Sequence, residues 1–303
     1  NVPQCAIAIE SIFREADAPV GVYTNLLIPG SKVSRLLDDP RIKGASLTGS
    51  EEAGASLAAA AGKNLKKSVL ELGGSDAFIV LEDARIDEAV KWAYVGRMNN
   101  TGQCCVAAKR FIVVDAVADE FTSKLVARMS NLVVGDPQDK RTQLGPLSSE
   151  EAAVHLADQV CRAVECGARV LLGGKRIDRV GAFLEATVLT DIKPSSPISH
   201  EEMFGPVAVI YRVADEEAAV AVANDSPYGL GGSVFTADIE RGKRVADQID
   251  TGMVFINHPT WTAPELPFGG VKRSGYGREL SGLGIEEFVN KKLIRVSDLG
   301  DPL

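Results

Sequence analysis

Short apolar runs alternate with segments of helical period through most of the 303 residues, and several of the runs stop at glycine. Residues 43–47 run apolar into Thr48-Gly49-Ser50, and a helical pattern follows to about residue 63. The run 68–72 ends in Gly73-Gly74, and 77–81 is apolar throughout. The next helical segment carries Ile86, Ala89, Val90, Ala93 and Tyr94 on one face. A strand that feeds a helix that feeds another strand folds as a parallel sheet with helices on its faces, so the fold class is α/β.

The same reading places helices at 3–17, 33–37, 117–132, 149–166, 215–224 and 239–249. Strands are expected at 22–28, 111–114, 168–172, 187–192, 207–213, 232–236, 254–257 and 290–296. Two open sheets accommodate these elements.

Three stretches carry chemistry-bearing residues. Asn99-Asn100-Thr101-Gly102-Gln103-Cys104-Cys105 follows a helix and precedes Lys109, Arg110 and a strand. Neighbouring cations and free backbone N–H groups lower a thiol pKa, and the thiolate is the reactive form. The plain alternative is a pair of inert buried cysteines, the common fate of free Cys. Glu71 is a lone carboxylate in an apolar strand, where desolvation pushes its pKa towards that of a general base. A structural carboxylate capping the Gly73-Gly74 turn is its alternative. Thr48-Gly49-Ser50 turns a strand into a helix, offering N–H groups to a phosphate, or simply an N-cap.

These stretches, with two later ones, resemble the NAD(P)-dependent aldehyde dehydrogenase family. The matching motifs are Thr48-Gly49-Ser50 through Gly54, Glu71-Leu72-Gly73-Gly74, Gly102-Gln103-Cys104-Cys105, Glu202-Met203-Phe204-Gly205-Pro206 and Pro267-Phe268-Gly269-Gly270-Val271-Lys272. The resemblance implies a partial Rossmann-type nucleotide domain over 1–72, an α/β catalytic domain over 73–280 and an oligomerisation tail over 281–303. It implies Cys105 as the nucleophile and Glu71 as the general base. Gly49, Ser50, Gly54, Leu72, Glu202 and Phe204 fall at its cofactor positions, for NAD or NADP. Phe268, Thr260, Trp261 and Thr262 fall at its aldehyde pocket. The Glu71 and Cys105 motifs are most similar to the succinate-semialdehyde dehydrogenase branch, although Ala77 stands where that branch often has Pro and Leu47 where the family often has Phe.

The first residue is Asn1. The resemblance places the family's oxyanion-binding Asn and its adenosine-ribose residues before it, so an N-terminally truncated chain is expected. The expected reaction is oxidation of an aldehyde, with succinate semialdehyde the candidate, through a thiohemiacetal and a thioester. Two other readings stay open: an inactive fragment and a cofactor-independent thiol esterase. By the resemblance, the full-length protein is a homo-oligomer.

A net charge of −8 and the absence of a Lys/Arg run argue against a nucleic-acid partner. No apolar run reaches membrane-spanning length. The five cysteines have no paired spacing that reads as a disulfide frame or zinc site, which suits a reducing cytoplasm. His155, His200 and His258 are isolated and read as structural or surface residues, with no metal site expected. Glu201 reads as a solvated neighbour of Glu202.

Overall fold

The computed structural model describes residues 2–300. The chain divides into two compact units, Asn1–Ala45 with Ser56–Ser68, and Ser46–Ala55 with Val69–Leu303.

The first unit holds α1 (Pro3–Glu15), α2 (Val33–Leu37), the start of β1 (Gly44–Thr48), most of α3 (Glu51–Lys63) and the start of β2 (Lys67–Glu71). Pro3 opens α1 at a position where a missing N–H costs nothing. None of the residues of α1 is buried, and Ile7, Ile9 and Ile12 are exposed. Lys66 Nζ donates to the carbonyls of Leu37 and Asp39, which ties the end of α2 to the start of β2. The strand expected at 22–28 is not formed. Val22, Leu26 and Leu27 are exposed, and no described strand pairs with them. β-propensity without a neighbouring ladder is not enough to make a strand.

The second unit is built on β3 (Asp76–Val80), α4 (Ile86–Met98), β4 (Ala108–Val114), α5 (Asp115–Ser130), α6 (Glu150–Glu165), β5 (Arg169–Leu172) and β6 (Thr187–Thr190). β7 (Val207–Val213), α7 (Glu216–Asn224), β8 (Tyr228–Gly229), β9 (Gly232–Phe235), α8 (Ile239–Ala246) and β10 (Phe255–Ile256) follow. The last elements are β11 (Val271–Lys272), β12 (Gly275–Tyr276) and α9 (Ser281–Glu286). Ser149, Asp215 and Asp238 cap α6, α7 and α8 with their side-chain oxygens, as their residue types dictate.

A seven-stranded sheet runs in the order β10-β9-β3-β4-β7-β6-β5, parallel except for β5. Every residue of β3 and β4 is buried. The period of two sends Phe78, Val80, Phe111 and Val113 to one face with α4 and α5, and Ala77, Ile79, Ile112 and Val114 to the other with α7 and α8. Phe78 stacks on Phe235 at 4.3 Å between ring centroids, which locks β3 against β9.

A three-stranded sheet runs β1-β2-β12, with Gly275 opposite Glu71 in antiparallel register. The expected strand at 290–296 is also absent: this segment is exposed coil, with Leu293, Ile294 and Val296 in solvent. No described helix is long and apolar enough to cross a membrane.

Candidate functional site

The thiol turn begins where α4 stops. Asn100, Thr101 and Gly102 take φ of 51°, 57° and 72°, successive left-handed residues that reverse the chain before Cys104. Asn tolerates this conformation, whereas Thr carries strain there. Arg97, fully buried at the end of α4, donates from Nη2 to the Gly102 carbonyl at 2.5 Å. Burial lowers its pKa to about 10, so it stays charged at neutral pH.

Beyond the turn, Lys109 enters the fully buried β4 with its side chain only 2 % exposed. Its Nζ donates to the carbonyls of Cys104 (3.0 Å) and Cys105 (2.9 Å) and pairs with Glu202 Oε1 at 3.0 Å. Such burial is rare for lysine and demands partners of this kind.

Cys104 and Cys105 are half-buried free thiols. The Cys105 side chain hydrogen-bonds the Cys104 sulfur, which lowers the Cys104 pKa to about 6 against the opposing cost of burial. The Val106 N–H and Lys109 act in the same direction. The same bond, with burial, pushes Cys105 up. Each thiol thus titrates against the other, and the pair releases its first proton more readily than its second.

Glu71 ends β2. Its backbone carbonyl accepts Gly49 N–H at 3.0 Å, and the following Leu72 N–H donates to Ser274 at 3.0 Å, which fixes the strand end. Glu71 is 2 % exposed, and among the described residues neither carboxylate oxygen has a hydrogen-bond partner. Desolvation raises its pKa to about 7; Glu279 adds to this and Arg278 opposes it. A buried acceptor without a protein donor is costly, and the raised pKa follows from it.

Two glycines tie Glu71 to its surroundings by close approach. A Cβ on Gly74 would lie 2.6 Å from the Cys105 carbonyl, so the turn after Glu71 reaches the backbone of the thiol turn. A Cβ on Gly269 would lie 2.9 Å from Glu71 Oε1, which brings the segment after Phe268 against the carboxylate. Phe268 itself is held by paired backbone bonds with Glu279 at 2.8 and 2.7 Å.

A cleft of about 850 Å³ opens beside the thiol turn. Its walls include Gly49, Ser50, Leu72, Cys104, Cys105, Glu202 and Phe204. Gly74 N–H donates to Glu202 Oε1 at 3.1 Å, the oxygen that also pairs with Lys109, which leaves Oε2 for a further donor. Phe204 presents a ring that is 44 % exposed. Ser50 caps α3 through the Ala53 N–H at 3.3 Å, and Arg273 pairs with Glu51 in its first turn. A helix N-terminus for phosphate, a carboxylate oxygen for a ribose diol and a flat apolar ring suit a dinucleotide.

The cleft does not gather every residue expected in the site. Gly54 serves packing, since a Cβ there would meet Leu72 Cδ2 at 2.6 Å. Glu71, Phe268, Thr260, Trp261 and Thr262 are not among the residues that line the cleft. Thr260 is buried beside Gly231 and Asp76, while Trp261 and Thr262 are exposed.

Glu201 differs from its sequence reading as a solvated neighbour, whereas the three histidines sit partly or fully exposed. His155 and His200 line the cleft. His258 stacks 4.4 Å from Trp92. Glu201 is gripped by Arg162 at 2.6 and 2.7 Å and by Gln159 at 3.0 Å. Gln159 also donates to the Glu202 carbonyl at 3.1 Å, so this cluster supports the cleft loop. Lys109 was visible in the sequence only as a neighbour of the thiols. The signal that could have singled it out is a pair of cations, Lys109 and Arg110, near the start of an otherwise apolar buried strand.

A thiol pair, a buried carboxylate and a cleft that begins at a helix N-terminus thus stand on an open α/β scaffold. The chain belongs to the aldehyde dehydrogenase family, whose model matches residues 1–294. It is 57 % identical over 293 residues to the NADP(+) succinate-semialdehyde dehydrogenase of Deinococcus radiodurans, covering 97 % of this chain and 61 % of that protein. It is 48 % identical over 297 residues to a probable NADP(+) succinate-semialdehyde dehydrogenase of Synechocystis, covering 98 % and 65 %. The crystal structure of succinic semialdehyde dehydrogenase from Streptococcus pyogenes with NADP+ superimposes with a TM-score of 0.95 at 48 % identity, covering 98 % of this chain and 65 % of that one. The chain thus spans less than two thirds of the length of these relatives.

Proposed function

We propose that this chain carries the thiol–carboxylate centre of an NADP-linked aldehyde dehydrogenase, with succinate semialdehyde as the substrate. The observation that carries the reading is Glu71: buried, unpartnered, poised near pH 7, and joined through Gly74 to the backbone of Cys105. The relatives' substrate and cofactor support the finer assignment.

Cys105 attacks the aldehyde carbon as thiolate, its proton passing to the neighbouring Cys104 thiolate, and the carbonyl oxygen takes up the negative charge. Ser50, Glu202 and Phe204 would hold the dinucleotide, which when bound would supply the acceptor for the aldehyde's hydride. The resulting thioester on Cys105 is cleaved by water. Glu71 takes the water proton as the C–O bond forms, and the C–S bond then breaks to return the thiolate and release the acid. The rise of Glu71 to about 7 matches the pH at which a base must accept and give back a proton.

Alkylation of the 303-residue chain across pH, with peptide mass mapping and with or without NADP+, tests this. The peptide holding Cys104 and Cys105 should label well before Cys5, Cys161 and Cys166 at neutral pH, and NADP+ should change its rate. Equal labelling of all five cysteines contradicts the proposal.

A further inference from the structure

We propose that Lys109 is a positioning residue that sets the thiol turn and the Glu202 carboxylate as one unit, with Arg97 holding the same turn at Gly102. This rests on the reading above that Cys105 and Glu202 serve one centre.

An ammonium has three N–H donors. Those of Lys109 are matched by three oxygens at 2.9–3.0 Å: the Cys104 carbonyl, the Cys105 carbonyl and Glu202 Oε1. Two belong to the thiol turn and the third to the loop that carries Phe204, so one buried cation joins two segments nearly a hundred residues apart in sequence. The Phe204 ring adds a face 5.9 Å from Nζ. A displacement of Glu202 must therefore be transmitted to the cysteine carbonyls, or a buried charge is left unpaired.

The arrangement is also electrostatic. Arg97 and Lys109 stand under the cysteines, opposed by Glu202 at 16 % side-chain exposure and by the fully buried Asp76. Asp76 is itself pushed up by burial, with Lys109 and Arg110 acting against that. Removing the lysine charge should make the thiol pair harder to ionise. Removing its carboxylate partner should make it easier. A purely structural role predicts no such opposition of sign.

Iodoacetamide alkylation of the Cys104–Cys105 peptide is followed across pH in the full chain and in Lys109→Met, Lys109→Arg and Glu202→Gln. Lys109→Met should move the profile to higher pH by about one unit, which slows labelling roughly tenfold near pH 5, below the parent's transition. Glu202→Gln should move it to lower pH, and Lys109→Arg should stay near the parent. If Lys109→Met fails to fold, the Glu202→Gln shift decides alone: a downward shift supports the proposal and no shift overturns it. Shifts of both variants in one direction also overturn it. A parent chain without an acidic thiol overturns this inference together with the proposed function. An acidic parent thiol with unmoved variants overturns this inference only.

Discussion

Glu71 and Glu202 are two carboxylates built into one centre, and the molecule treats them oppositely. Glu202 receives a backbone N–H and a buried ammonium on the same oxygen. Glu71 receives nothing on either oxygen, although it is the more deeply buried of the two. A partnered carboxylate is held in place and works as a fixed acceptor. An orphaned one keeps its proton affinity high and can exchange a proton with water. The difference separates holding from reacting, and each half of it can be broken by substitution.

The largest effect is expected at Glu71. With an activated ester as acyl donor, Glu71→Gln should leave acylation of the chain intact and slow steady-state turnover by roughly two to four orders of magnitude. In the parent, turnover should climb with pH and level off above about pH 7 as Glu71 loses its proton. A pH-independent rate would break the comparison.

Gly74→Ala comes next. Its Cβ would stand 2.6 Å from the Cys105 carbonyl, so the turn must shift at a cost of about 1–3 kcal/mol, read as a lower urea midpoint. Thiol labelling at neutral pH should fall with it, because the moved backbone is that of the nucleophile.

Stability against pH sharpens the same contrast. Glu71 has a higher pKa folded, about 7, than its ordinary 4.5. Its contribution to stability is therefore full below about pH 4.5 and is lost as pH rises through 7. Glu71→Gln, which never ionises, should exceed the parent above pH 7 by on the order of 1–2 kcal/mol and match it in acid, measured by urea unfolding at both ends.

The smallest effect is expected at the Arg162–Glu201 pair, whose side chains are each about a third exposed. Arg162→Met should cost less than about 1 kcal/mol and leave the thiol profile unmoved.

Much of this was legible in the sequence. The strands at 77–81, 111–114 and 207–213 were readable because apolar runs buried on both faces have few other uses, and β3, β4 and β7 lie there. The segment 22–28 looked similar but has no ladder to join, and 290–296 is apolar without a described partner strand. Pattern reports what a segment can do, and pairing depends on what stands beside it. In the site, Glu71 and the thiol turn stood out because each breaks a local rule, a charge in an apolar strand and adjacent thiols after a Gly-Gln turn. The grip of Lys109 on Glu202 was hidden, since it joins residues 93 positions apart, and a long-range contact leaves no local spacing to read. The coupling of Cys104 to Cys105 was equally hidden, because adjacency in sequence does not say that the two sulfurs share a hydrogen bond.

The most direct test of the centre is the position of the acyl group. Glu71→Gln is mixed with an activated ester, quenched, digested and mapped by mass. One acyl group that persists on Cys105, and that the parent chain clears rapidly, is the predicted result. An acyl group resting on Cys104, or a Glu71→Gln chain that clears it as fast as the parent, would contradict the roles assigned to Cys105 and Glu71.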